Sequence, residues 1–85
     1  MAHYDLEITE VAEKKLRKFN HEIQGHFFKK IGKLQQNPTA YGKPLRNILA
    51  GTWEIYFERR YRILYSINEN KKLIIIESIL HKDEF

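Results

Sequence analysis

The chain has 85 residues, 42% of them hydrophobic and 31% charged, with 15 Lys and Arg against 11 Asp and Glu, four His and no Cys. A chain this short buries only about 60–65% of the surface it exposes when unfolded, so one core and a single domain over residues 1–85 are expected. Without cysteine, disulfides, zinc–thiolate sites and thiol nucleophiles are excluded, and stability rests on an ordinary apolar core.

Tyr4, Leu6 and Ile8 alternate with Asp5 and Glu7, the period-two pattern of a strand with one buried face. Thr9 is placed to cap a following helix, with Glu10 and Glu13 near its positive end. Val11, Ala12, Leu16 and Phe19 give that helix an apolar stripe, and Lys14, Lys15, Arg17 and Lys18 fill the rest of its surface. Asn20 restarts the pattern as a second cap. Ile23, Phe27, Ile31 and Leu34 then recur at helical steps until Asn37-Pro38 stops the helix. The two arms form an amphipathic helical hairpin.

Thr39 to Gly51, with Pro44 and several small turn-prone residues, reads as a connecting loop. From Thr52 the period is two: Trp53, Ile55 and Phe57 point one way, and Glu54, Tyr56 and Glu58 the other. After a tight turn near Glu58 to Arg60, Tyr61, Ile63, Tyr65 and Ile67 share one face, and Arg62, Leu64 and Ser66 the opposite one. A second turn at Asn68-Glu69-Asn70-Lys71 leads to Leu73–Leu80, whose near-continuous apolar character marks a strand covered on much of both faces. The expected fold is α+β in the order β-α-α-β-β-β, a small antiparallel-rich sheet with the helical hairpin packed on one face. Trp53, Ile55, Phe57, Tyr61, Ile63 and Tyr65 belong beneath the helices. Glu54, Tyr56, Glu58, Arg62, Leu64 and Ser66 belong to the open face, which period two extends through Ser78 to Lys82.

Charge is unevenly distributed. Residues 1–13 carry four acids and no Lys or Arg, residues 14–62 twelve bases and three acids, and residues 63–85 three bases and four acids. Such a basic centre attracts phosphate backbones or acidic proteins alike, and serves equally as a solvated, solubilising helix face. The longest apolar run, Leu73 to Ile76, is too short to span a bilayer, and Met1-Ala2-His3-Tyr4-Asp5 has neither the basic start nor the apolar stretch of a signal peptide. A soluble cytoplasmic protein without membrane association is expected. His21 and His26 lie on different faces of a helix with no acidic cluster beside them, so both read as surface histidines and no metal is expected. No glycine-rich phosphate loop or Gly-x-Ser-x-Gly arrangement is present, and no cofactor is implied.

The open sheet face carries the chemistry. Arg62, on an inner strand position, is a fixed guanidinium suited to a phosphate. RNA supplies its own nucleophile, the 2′-hydroxyl, so its cleavage needs only a base, a cation on the crowded phosphate and an acid for the leaving oxygen. Arg62 fits the phosphate-holding role and Lys82 a second positive contact. His81 or Glu54 fits that of base or acid, and Tyr56 can stack on or orient a nucleobase. Plainer roles exist for the same residues: Glu54 and Glu58 as ion-pair partners of Arg59, Arg60 or Arg62, Tyr56 as a half-exposed strand residue, and His81 as a strand terminator.

Several stretches resemble the RelE/ParE superfamily of toxins from type II toxin–antitoxin pairs. They are Gly42-Lys43-Pro44-Leu45 leading to Leu49-Ala50-Gly51-Thr52-Trp53-Glu54-Ile55, then Tyr61-Arg62-Ile63-Leu64-Tyr65-Ser66-Ile67, then Ile79-Leu80-His81-Lys82. The resemblance implies a small sheet with two packed helices and an acidic, partly disordered antitoxin that wraps the toxin. In the RelE branch it also implies mRNA cleavage in the ribosomal decoding site. Arg62 then matches the strand arginine that contacts the reacting phosphate, Lys82 a second basic residue after the last strand, and His81 a histidine of many relatives. The basic residues Lys14, Lys18, Lys29, Lys30, Lys33, Lys43, Arg46 and Arg60 become the RNA-binding set. Where RelE has two lysines on the strand after the loop, this chain has Glu54 and Tyr56, so proton transfer by lysine is unavailable there. The loop also lacks the glutamate base of the YoeB branch, and the chain stops at Phe85 without the C-terminal tyrosine of many relatives. Ribosome-dependent endoribonuclease activity is the favoured expectation. A ParE-type toxin that inhibits DNA gyrase by contact is the alternative, and an inactivated antitoxin-binding relative a third.

Overall fold

The structure is a computed structural model that describes residues 3–46 and 51–84; Leu49 and Ala50 of the family-like stretch, and Phe85, lie outside them. Strand β1 spans Asp5–Ile8, helix α1 Glu10–Arg17, helix α2 His21–Gln36, β2 Lys43–Pro44, β3 Trp53–Phe57, β4 Tyr61–Asn68 and β5 Leu73–His81, and a 3-10 turn follows at Lys82–Glu84. The sheet order is β1-β5-β4-β3-β2. β1 runs parallel to β5, and the β5–β4, β4–β3 and β3–β2 pairings are antiparallel. This matches the expected α+β layout with one addition. Lys43–Pro44, within the expected loop, forms a two-residue edge strand, where the missing proline N–H costs no internal ladder bond.

Both predicted caps form. The Asn20 side chain accepts from the Ile23 N–H at 2.9 Å, and Thr9 Oγ1 accepts from the Ala12 N–H at 3.2 Å. The Thr9 hydroxyl also donates to the Glu77 carbonyl at 2.7 Å, which ties the start of α1 to β5. Glu77 is the extra residue of a β-bulge: Leu64 opposes Ser78, whereas Tyr65 opposes Ile76. The bulge reverses the parity of β5. Ile74 and Ile76 before it and Ile79 after it all enter the core beneath the helices, which accounts for the near-continuous apolar run.

That core holds Phe27, Ile31 and Leu34 of α2 and Ala12 and Leu16 of α1, together with Ile55, Phe57, Ile63 and Tyr65 of the central strands. Phe19, Ile23, Trp53, Tyr61 and Ile67 pack against it, as alternation requires. Val11 departs from expectation: it is 67% exposed, because the buried side of α1 is narrow and centred on Ala12 and Leu16. Two turn residues between β3 and β4, Glu58 and Arg59, adopt left-handed φ values of 50° and 62°, the twist a tight hairpin needs.

Tyr65 explains the glycine at position 42. Its buried hydroxyl donates to the Pro38 carbonyl at 2.6 Å, and a Cβ built on Gly42 would meet that hydroxyl oxygen at 2.0 Å. Gly42→Ala is expected to cost about 1–3 kcal/mol through overpacking, measured by urea denaturation. Burial pushes the Tyr65 hydroxyl from 10.0 up to about 12. The unfolded chain therefore ionises this group before the folded one does. Its contribution to stability is complete below pH 10 and is lost as the pH rises from 10 toward 12. Tyr65→Phe should show a shallower fall in thermal midpoint across that window than the parent; identical slopes would remove Tyr65 as the cause.

Candidate functional site

The face of the sheet opposite the helices is organised by the β3–β4 register, in which Tyr56 opposes Arg62 and Glu54 opposes Leu64. Directly opposed residues leave a sheet on the same side, so Glu54, Tyr56, Arg62 and Leu64 share this face, and Leu80 joins them opposite Arg62. The arginine meets a carboxylate and an aromatic ring. Nη1 donates to Glu54 Oε2 at 3.1 Å, and the guanidinium carbon lies 5.2 Å from the centroid of the Tyr56 ring. Arg62 makes at least one further interaction besides these.

Glu54 is the feature alternation did not anticipate. Its side chain is only 9% exposed and that of Arg62 26%, so the pair is a largely desolvated ion pair and not a cation in an open groove. Arg62 therefore also contributes to stability, because its removal would leave a buried carboxylate uncompensated. Tyr56, by contrast, is 52% exposed and presents ring surface to solvent beside the guanidinium.

His81 and Lys82 diverge. His81 opposes Tyr61, so it lies on the helix side of the sheet, away from Arg62. Its ring meets Tyr61 edge-on at 5.2 Å, and its Nδ1 accepts from the Asp83 N–H at 3.2 Å. The same alternation that predicted the core already assigns His81 to this side. Lys82 is exposed and its N–H donates to the Arg60 carbonyl at 2.7 Å, which sets it at the rim beside the β3–β4 turn.

The basic set is distributed around this face and over the helices. Lys43 opposes Glu54 from the sheet edge, Arg60 lies in the β3–β4 turn and Arg46 is exposed beyond β2. Lys30 lines a shallow groove with Tyr56, Phe57, Glu58 and Arg59, so α2 contributes a cation near the sheet-face cluster. Arg59, in the tight turn two residues after Phe57, lines this groove as well and is an addition to the expected basic set, for which its place beside the end of β3 is the signal in the sequence. Lys29, Lys30 and Lys33 line a second groove with His26, whose Nδ1 lies 2.6 Å from Glu58 Oε1. Lys14 pairs with Glu10 at 3.3 Å on the outer surface of α1, and Lys18 follows that helix. Neither is brought to Arg62. Among the described residues, no group of three or more His, Cys, Asp or Glu is arranged to hold a metal ion. Among them, too, no helix is long and apolar enough to cross a membrane.

This two-helix, five-stranded architecture is that of the RelE-like toxins. A chain of the RelBE2 toxin–antitoxin complex from Mycobacterium tuberculosis superposes with a TM-score of 0.86 at 32% identity, over 95% of this chain and 93% of that one. The isolated E. coli RelE toxin gives 0.77 at 23% identity, over 92% and 83%. The YoeB/ParE toxin from Agrobacterium tumefaciens gives 0.81 at 14%, over 91% and 96%. No curated protein sequence matches the chain. Residues 6–84 match the family model of the ParE toxin of type II toxin–antitoxin systems, and the chain belongs to that family within the RelE-like superfamily.

Proposed function

We propose that this toxin cleaves mRNA on the ribosome, with the substrate's own 2′-hydroxyl as nucleophile. The observation that supports this most is the Glu54–Arg62–Tyr56 cluster: a guanidinium fixed beside an exposed aromatic ring, with Lys30, Arg59, Arg60 and Lys82 around it. A scissile phosphate competes with Glu54 for Arg62, which stabilises the charge that builds on the non-bridging oxygens. Glu54 then accepts the 2′-hydroxyl proton as the 2′-oxygen bonds to phosphorus. The bond to the 5′-oxygen breaks, that oxygen takes up a proton, and the products are a 2′,3′-cyclic phosphate and a 5′-hydroxyl. Tyr56 stacks on a neighbouring base, Lys82 supplies the second positive contact, and His81 holds the C-terminal turn. Lys14, Lys18, Lys29, Lys30, Lys33, Lys43, Arg46 and Arg60 contact ribosomal or messenger RNA phosphates.

The test is 5′-end mapping of mRNA on programmed ribosomes incubated with the purified protein, beside a DNA gyrase supercoiling assay. New 5′ ends that disappear on Glu54→Gln support the proton-transfer role. Cutting that persists at the parent rate in Glu54→Gln reduces that carboxylate to an ion-pair partner. A second reading, contact inhibition of DNA gyrase, is favoured by the match to the ParE model and by the charge that Glu54 removes from Arg62. Intact mRNA with inhibited supercoiling would establish it in place of cleavage.

We further propose a cognate acidic antitoxin as partner; the M. tuberculosis relative was solved in a toxin–antitoxin complex. With a sequence pI near 9.4, this chain should lose antitoxin affinity as salt rises from about 0.1 M to 1 M and the Debye length falls from about 10 Å to 3 Å. Titration calorimetry at the two salt concentrations checks this, and equal affinities would remove the electrostatic contribution. With ribosome and mRNA as targets, the cytoplasm is the proposed site of action.

A further inference from the structure

Helix α2 presents a face that neither the core nor the RNA reading uses. At 100° per residue, His21, Gly25, Phe28, Gly32 and Gln36 fall within an arc of about 80° along the whole of the helix. In a chain with 31% charged residues this arc carries no Lys, Arg, Asp or Glu. Phe28 stands out from it, 51% exposed, and is braced edge-on against the buried Phe27 at 5.4 Å. One turn to either side the surface is recessed, since a Cβ built on Gly25 or on Gly32 would meet nothing within 4 Å. The result is an aromatic knob between two hollows.

The borders of the arc differ. On one side Gln24 and Gln35 are turned into the fold, their amides donating to the Phe19 carbonyl at 2.8 Å and the Tyr4 carbonyl at 3.0 Å. On the other side run Lys29 and Lys33, which have no acidic partner among the described residues. At its C-terminal end the arc opens into a groove lined by Gln36, Asn37, Pro38, Tyr4 and Glu69. The track is therefore neutral and partly apolar, about 24 Å long over the helix, and basic along one edge.

We propose that this face of α2 is a docking surface for a helical segment of the antitoxin, an inference that rests on the toxin–antitoxin partnership proposed above. The segment lays small and apolar side chains around Phe28, fills the recesses at Gly25 and Gly32, and sets Asp or Glu against Lys29 and Lys33. A second copy of this chain is a poorer occupant. Two-fold antiparallel pairing of α2 would bring the two lysine borders to the same side, and parallel pairing would offer them only glutamines.

The test uses full-length toxin with Gly25→Trp, Gly32→Trp or Phe28→Asp, and a Lys29→Glu/Lys33→Glu variant as a charge-reversal control that leaves the recesses unchanged. Both glycines are helical with open space above them, so the variants keep the fold, which circular dichroism and thermal midpoint verify. The probe is the antitoxin encoded with this toxin, titrated by calorimetry. Expected is at least tenfold weaker binding for each variant; the Gly25→Trp, Gly32→Trp and Phe28→Asp proteins retain growth inhibition when expressed alone and lose rescue by co-expressed antitoxin. Parent-like antitoxin affinity in a folded Gly25→Trp/Gly32→Trp protein, and in the charge-reversed protein, would overturn the proposal while leaving the partnership intact. A parent toxin that sediments as a dimer disrupted by the tryptophans would also overturn it, in favour of a second copy. Failure of the parent toxin to bind the antitoxin would instead overturn the partnership itself.

Discussion

Phe27→Ala is expected to destabilise the protein by about 3–5 kcal/mol, the cost of deleting a buried aromatic ring and leaving a cavity. Phe27 is fully buried, and its ring meets Phe57 edge-on at 5.8 Å, so the substitution removes contacts to both the helix layer and the sheet. A small domain has only about 5–15 kcal/mol in total, so much of the population should unfold at physiological temperature. Urea denaturation of Phe27→Ala beside Phe28→Ala is the measurement. The adjacent side chain is half exposed and should cost less than about 1 kcal/mol. Equal losses at the two positions would mean that the helix faces are assigned wrongly.

Arg62→Ala is expected to slow mRNA cleavage by roughly a hundredfold or more, the size of effect seen when a preorganised electrostatic stabiliser is removed. It is also expected to destabilise the fold by about 1–3 kcal/mol, because Glu54 would keep its burial and lose its guanidinium. The two effects are separable. Adding Glu54→Gln to Arg62→Ala removes the stranded charge and should recover much of the stability but none of the cleavage. Single-turnover cutting of ribosome-bound mRNA, measured on each folded variant, decides the matter. Arg62→Ala that cuts at the parent rate would exclude Arg62 from the chemistry, and double-variant stability equal to that of Arg62→Ala would show that the ion pair is not the source of the loss.

Much of the fold was legible because buried apolar residues repeat with the period of the element that carries them. Ile23, Phe27, Ile31 and Leu34 describe one side of α2, and Trp53, Ile55 and Phe57 one side of β3, without reference to anything distant. Thr9 and Asn20 mark their helix starts for an equally local reason, since each cap bonds an N–H three residues ahead. The shared face of Glu54, Tyr56 and Arg62 follows from alternation as well. So does the separation of His81 from it, although the acid–base chemistry of an imidazole, and then the family resemblance, draw His81 into the same group.

What alternation cannot state is how deeply a polar side chain is covered, or by what. Glu54 reads as a surface residue because its burial depends on Arg62 from the neighbouring strand, and Lys43–Pro44 is too short to show a period before β3 offers it an edge. The bulge at Glu77 is decided by the pairing of β4 with β5, and the need for glycine at position 42 by a tyrosine hydroxyl on β4. The sequence by itself therefore determined the elements, their buried sides and the one face on which the arginine stands, because these depend on neighbours along the chain. Only the tertiary structure decided that the arginine is an ion-paired group with a buried partner, because desolvation and ion pairing depend on atoms that the fold brings together across strands.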